Sequence, residues 1–265
     1  MFEQTFQSVK LICFSPTHGT RNLLEAITFG MSPQPTGLID LTLPTTTPTK
    51  NREVVADLVL IGVPVYAGRV PLVAVERLQK LSANGVPAVL VAVYGNRGYG
   101  DALLELNDIA VKCGFKPVAA GAFIAEHSFS TAEYPIATAR PDAADLLKAE
   151  QFGAEVAKRL TTDKITAIKV PGNFPYKEGM GSQGISPETD KSICTDCKYC
   201  VAVCPTHAIS EEDVTITDVS KCILCNACIR VCPVAARQGK HPFFATLANK
   251  LSTNCQTRLE PEYFL

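Results

Sequence analysis

Cysteine supplies the clearest chemistry in this sequence. Eleven cysteines occur in 265 residues, and eight of them crowd between Cys194 and Cys232. They form two runs of one pattern, Cys194-x-x-Cys197-x-x-Cys200-x-x-x-Cys204-Pro205 and Cys222-x-x-Cys225-x-x-Cys228-x-x-x-Cys232-Pro233. Every member of the second run lies 28 positions after its counterpart, so the segment is an internal duplication. Three thiolates at this spacing wrap one corner of an iron–sulfur cubane, which then needs a distant fourth ligand. Structural zinc prefers two separated C-x₂-C pairs, and neither run has that form. Disulfides do not suit a chain read as cytosolic, where thiols stay reduced. Small apolar residues between the ligands, Ala202, Val203, Ile223, Ala227 and Ile229, keep such a site dry. Cys13 and Cys113 stand alone at positions that suit buried, inert thiols, and Cys255 lies in the tail.

The first 160 residues are poor in cysteine and alternate two periodicities. Apolar runs at Val9–Phe14, Leu38–Leu43, Leu58–Val63, Pro87–Tyr94 and Val118–Ala125 read as strands, the third continuously apolar as a strand buried on both faces should be. Between and after them, Arg21–Met31, Pro71–Ala83, Asp101–Cys113 and Asp142–Leu160 carry helical spacing. Five strands alternating with helices predict an α/β fold with a doubly wound parallel sheet. The Pro- and Gly-bearing stretch 164–187 reads as a connector, 188–237 as the cysteine domain, and 238–265 as a short helix and tail that folds back on the first unit.

In a doubly wound sheet, ligands bind at the carboxyl ends of the strands. The loop after the first strand offers Ser15, Thr17, His18, Gly19 and Thr20 at the start of a helix, where backbone N–H groups and short hydroxyls attract a phosphate. The loop after the third carries Pro64-Val65-Tyr66-Ala67-Gly68, and that after the fourth Tyr94-Gly95-Asn96-Arg97-Gly98-Tyr99. Each pairs an aromatic with small residues, so that amides approach a flat ring while a tyrosine covers its face. Together the loops suggest a planar, phosphorylated cofactor. His127 and Ser128 follow the fifth strand, and His127 reads as a solvated loop histidine.

Residues 1–163 resemble a flavodoxin-type FMN domain. The family's phosphate loop, Ser/Thr-x-Thr-Gly-x-Thr, is matched at Ser15, Thr17 and Thr20, with His18 where glycine is usual and Gly19 one position later. The resemblance implies FMN, with loops 64–69 and 94–100 flanking its ring. Residues 188–237 resemble a bacterial two-cluster ferredoxin. In that signature the fourth cysteine of each run ligates the other cluster. It implies Cys194, Cys197, Cys200 and Cys232 for one [4Fe–4S] cluster and Cys222, Cys225, Cys228 and Cys204 for the other. The whole chain resembles the flavodoxin–ferredoxin fusion proteins of anaerobic bacteria and archaea, the EFR-family ferredoxins, and so implies an electron carrier between redox partner proteins.

Two functional classes follow. One is a carrier without a substrate of its own, docking to a ferredoxin-type donor or an acceptor oxidoreductase. The other is an FMN-dependent reductase using NAD(P)H or a small molecule, with the clusters as an internal wire. No G-x-G-x-x-G follows any strand, which favours the carrier. Twenty-five basic against 26 acidic side chains leave no basic footprint for nucleic acid. Bound clusters and FMN would add negative charge, which suits partners with basic docking patches. The longest apolar stretch, 56–67, is interrupted by Gly62 and Pro64 and is too short to span a bilayer. Met1-Phe2-Glu3-Gln4 does not open a signal peptide, and the reading is cytoplasmic, with a homodimer left open.

Overall fold

The computed structural model describes residues 6–31, 35–162, 167–179, 181 and 183–265. The reading of Met1–Gln4 and parts of the connector (164–166, 180 and 182) lie outside the described residues.

The strands are β1 (Val9–Cys13), β2 (Gly37–Asp40), β3 (Arg52–Glu53), β4 (Leu58–Pro64), β5 (Leu81–Ser82), β6 (Pro87–Tyr94), β7 (Lys116–Ile124), β8 (Glu188–Thr189), β9 (Arg237–Gln238) and β10 (Glu262–Phe264). The helices are α1 (Gly19–Gly30), α2 (Leu72–Leu78), α3 (Ala102–Lys112), α4 (Ala143–Thr162), α5 (Tyr199–Ala202), α6 (Ala227–Arg230) and α7 (Pro242–Asn254). The main sheet runs β10-β7-β6-β4-β1-β2, with β2 through β7 mutually parallel. Counting only the five long strands in chain order gives 2-1-3-4-5, the flavodoxin-like order, whose switch point lies between the first and third.

Both faces of this sheet are covered, which is why β4 and β6 are apolar almost throughout. On one side α1 and α4 bury Leu23, Leu24, Ile27, Phe152 and Val156 against Leu11, Leu58 and Val91. On the other, α2 and α3 bury Ala74, Leu78, Leu103 and Leu106 against Ile12, Ile61 and Leu90. The α1–α4 crossing is close because it is made at glycines. A Cβ on Gly30 would strike the backbone of Glu150, and one on Gly153 the carbonyl of Ile27.

The sheet departs from the expected five parallel strands in one respect. The tail is not an appendage: β10 adds antiparallel to β7, pairing Glu262 with Ala122 and Phe264 with Ala120. This covers a sheet edge that would otherwise present unpaired N–H and C=O groups. Tyr263 stacks on Phe152 at 4.9 Å and lies 5.5 Å from Phe123, which holds the strand in register. The connector likewise is strapped down. Asp101 accepts the backbone N–H groups of Asn173 (2.9 Å) and Lys177 (2.8 Å), and Tyr176 donates to Asp108. The cysteine segment is a small unit of two one-turn helices, α5 and α6, closed by the antiparallel pair β8–β9.

Candidate functional site

The eight cysteines ring two cavities. One, about 350 Å³ with its open mouth, is lined by Cys204, Cys222, Cys225 and Cys228. The other, about 330 Å³ with its open mouth, is lined by Cys194, Cys197, Cys200 and Cys232. Each takes three thiols from one run and the fourth from the other. The duplication extends to the backbone. Left-handed conformations occur at Asp196 and Leu224 (φ 50° and 54°), at Lys198 and Asn226 (59° and 58°) and at His207 and Ala235 (49° and 53°), each pair 28 residues apart. These curls turn amides toward sulfur: Ala208 N–H donates to Cys204 Sγ at 3.2 Å. Burial pushes the thiols of Cys225 and Cys222 up, while the amides of Ala227 and Leu224 favour their thiolates. An all-sulfur donor set with N–H groups aimed at it fits an iron–sulfur cubane.

The two cavities differ in exposure. Cys197 in the outer cavity, the second of these, is exposed, whereas Cys204, Cys225 and Cys228 in the inner one are buried. The inner cavity faces the α/β unit, with Ile223 in its lining also bordering the strand-end cavity.

A larger cavity, about 840 Å³ with its open mouth, lies at the carboxyl ends of β1, β4, β6 and β7. Of the residues expected there, Thr17, Gly19, Thr20, Pro64, Val65, Tyr66, Ala67, Tyr94, Gly95 and Arg97 line it. The rest sit elsewhere for identifiable reasons. Ser15 turns inward, its Oγ accepting Arg21 N–H at 3.1 Å. His18 is exposed and takes the left-handed bend (φ 64°) that opens α1, the conformation glycine would adopt there most easily. Gly68, also left-handed, packs against Gly100 behind the loop. Asn96 is buried. Its Nδ2 donates to the carbonyls of Cys255 and Thr257 (both 2.8 Å) and its Oδ1 accepts Leu259 N–H at 2.9 Å, so it clamps the tail. Tyr99 packs edge-on against Tyr94 and donates to Glu262 of β10 at 2.8 Å. Gly98 lies in the outer part of the same turn, where a Cβ would meet nothing.

The cavity fits a phosphorylated flat ligand. Among the described residues nothing accepts from the amides of Gly19 and Thr20, which open α1 with its positive dipole end beside the Thr17 and Thr20 hydroxyls. Arg97 adds a cation.

His127 corrects an expectation. It is no solvated loop histidine: it lines the cavity, and its ring occupies the space that a side chain at Gly95 would need. Its Nδ1 accepts Phe129 N–H at 3.1 Å, so the neutral ring carries its proton on Nε2. Burial, with Arg97 and Arg230 nearby, pushes its pKa down to about 4. Burial likewise pushes the Tyr94 hydroxyl up to about 12, and the Tyr66 hydroxyl well up, the latter with a contribution from the thiols of Cys225 and Cys222. Sequence reasoning also missed Leu247 and Leu251 of α7, which close the cavity from the tail.

The inner cysteine cavity and the strand-end cavity share a wall. Ile223 lines both, and Leu224 faces the latter, so the Cys222–Cys225 loop forms part of the wall between them. Leu224 enters an apolar cluster with Phe129, Ile136, Phe244 and Leu251. Polar bonds pin the seam: Asn226 Nδ2 donates to Ser128 O (3.1 Å), Arg230 Nη2 to His127 O (2.9 Å), and Arg77 Nη2 to Pro205 O (2.5 Å).

Residues 193–237 match the family described as the 4Fe-4S dicluster domain. No curated protein matches the chain. Solved structures similar to the first unit include a flavodoxin from the domain Archaea (13% identity, TM-score 0.38, 58% of this chain and 99% of that one) and flavodoxin 1 from Bacillus cereus (16%, 0.40, 57% and 97%). Another is the rubredoxin oxygen:oxidoreductase of Desulfovibrio gigas (13%, 0.38, 58% and 36%). No helix among the described residues is long and apolar enough to cross a membrane. By its strand order and its cysteine segment, the chain joins a flavodoxin-like α/β unit to a 4Fe-4S dicluster domain.

Proposed function

We propose that the protein is an electron carrier in which two [4Fe–4S] clusters lead to FMN held in the strand-end cavity. The observation that carries this reading is the shared wall: Ile223 lines both the inner cysteine cavity and the strand-end cavity. When bound, the clusters would pass single electrons and FMN would accept one or two. Thr17, Gly19, Thr20 and Arg97 would hold the phosphate, and Tyr66, Tyr94 and Gly95 would border the ring. Leu224, Leu247, Leu251 and Phe129 would exclude water from it. Cys194, Cys197, Cys200 and Cys232 would ligate the outer cluster, and Cys222, Cys225, Cys228 and Cys204 the inner one. The exposed outer cluster is the entry for a protein partner, a ferredoxin-type donor or an acceptor oxidoreductase. The setting would be anaerobic and cytoplasmic.

The test begins with iron, acid-labile sulfide and FMN counts on anaerobically reconstituted protein. It continues with two reductants, NAD(P)H and a reduced low-potential ferredoxin. Bleaching of clusters and flavin by the ferredoxin alone is the expected result. Rapid bleaching by nicotinamide would make the protein a reductase with its own hydride site.

A further inference from the structure

The 28-residue repeat pairs each position of one copy with a counterpart in the other, and just beyond the last cysteines one buried pair differs in charge. Residue 209 of the first copy is Ile, buried at 4% exposure in the lining of the inner cavity. Its counterpart in the second copy is Arg237, buried further, at 2%. Arg237 lines both cysteine cavities and so stands in the wall between them. Its Nη1 donates to Thr189 Oγ1 (2.7 Å) and more weakly to Val214 O (3.4 Å), and its Nη2 to Thr217 Oγ1 (2.7 Å). All these acceptors are neutral, and no carboxylate pairs with it among the described residues. Its Nε is buried with no hydrogen-bond partner.

A buried guanidinium without a counter-charge is costly, and an orphaned N–H adds to the cost. Natural chains keep such a group where something absent from the polypeptide completes it. The neighbours say what completes it. Arg237 shares the lining of the inner cavity with Cys222 and Cys228, and that of the outer cavity with Cys200. Those thiols belong to both cavities. Arg77, the other arginine buried at this seam, differs: it is taken up by the carbonyls of Leu41, Thr42 and Pro205.

We propose that Arg237 is a positioning residue for both clusters, a fixed cation between them whose Nε–H donates to cluster or thiolate sulfur and which raises both reduction potentials. The inference rests on the cluster half of the function proposed above and not on the flavin. The step concerned is the addition of one electron to a cluster by an external reductant. No bond forms or breaks and no proton moves, and the charge of a cluster with its four thiolates goes from about −2 to about −3. A nearby cation favours the more negative state, and hydrogen bonds to sulfur act in the same direction.

The test is an anaerobic redox titration of the full-length protein, followed by EPR of the reduced clusters, for the native chain and for Arg237→Gln, Arg237→Ile and Arg237→Lys. The native iron count is taken first, so that failure of the cluster reading is seen by itself. In loaded Arg237→Gln, the reduced-to-oxidised ratio of both clusters at a fixed potential should fall about tenfold, equivalent to about 59 mV for one electron. Arg237→Ile, which restores the residue of the first repeat, should fall at least as far. Arg237→Lys, keeping charge but not Nε, should move less than Gln. Unchanged potentials in loaded Arg237→Gln, or a shift confined to one cluster, would overturn the proposal. So would loss of iron from Gln and Lys variants alike, which would make Arg237 a folding strut tying Thr189 to Thr217.

Discussion

The two cysteine repeats share spacing, left-handed backbone positions and cavity size, yet they occupy opposite environments. In the first, the residues between the leading ligands are Thr195-Asp196 and Lys198-Tyr199; in the second they are Ile223-Leu224 and Asn226-Ala227. The polar version faces water, with Tyr199 and Ile193 around half exposed beside Cys197. The apolar version is buried against the α/β unit, where Leu224 fills a cluster built by α7 and the loop after β7. The lesson is a division of labour within one motif. The cysteines and the curled backbone make the cavity, and the residues between them decide whether it faces solvent or the strand-end cavity.

That contrast can be broken most severely at the ligands. Cys225→Ser should remove the inner cluster and stop transfer to the flavin site, with iron falling from about eight to about four per chain. Cys197→Ser should cost the outer cluster yet leave inner-cluster and flavin chemistry accessible to a small chemical reductant. With iron halved in both variants, equal loss of flavin bleaching by the chemical reductant in stopped-flow would erase the distinction.

Next in size is the apolar plug. Leu224→Ala should destabilise the folded chain by about 2–5 kcal/mol, the range for truncating a buried leucine. The equivalent change at the outer repeat, Asp196→Ala, should cost well under that. Denaturant unfolding of the two variants sharpens the comparison, and equal losses would break it.

A third difference appears with pH. His127 sits behind the inner repeat with its pKa held down to about 4 by burial, against an ordinary value of 6.5. Between these values the unfolded chain binds more protons than the folded one, so stability rises with pH across this window and is lost as pH falls from about 6.5 toward 4. His127→Gln should flatten that slope. The His127 imidazole NMR signal, assigned by its loss in His127→Gln, titrating near 6.5 in the folded native protein would contradict the seal.

The smallest effect belongs to the rim of the seam. The Arg230–Glu126 pair, at 3.4 Å and partly exposed, should contribute only about 0–1 kcal/mol. Glu126→Gln should therefore leave the unfolding midpoint almost unmoved, while slightly increasing its independence of salt.

Much of this was legible in the sequence because it was periodic. The 28-residue repeat, the alternation of strand and helix and the position of loops at strand ends all leave regular marks. The misses share a different physics. Asn96 sits in a Gly-rich turn of the kind that borders a ring, and nothing local distinguishes a side chain facing a ligand from one buried under a tail 160 residues further on. β10 is three residues long, too short for any alternation, and is made by the edge of β7 rather than by its own propensity. His127 read as solvated because the elements that bury it, α6 and α7, are remote in sequence.

The closing strand also changes what kind of attachment the cysteine segment has. Chain enters it from α4 by way of the strapped connector and returns through α7 to β10 in the same sheet. Topologically it is an insertion, moored at both ends, and not a pendant on a leash. A singly tethered carrier can deliver electrons by swinging between stations. One moored twice must keep its inner cysteine cavity and the strand-end cavity at a nearly constant gap, so that regulation of the proposed carrier would fall to the outer cavity.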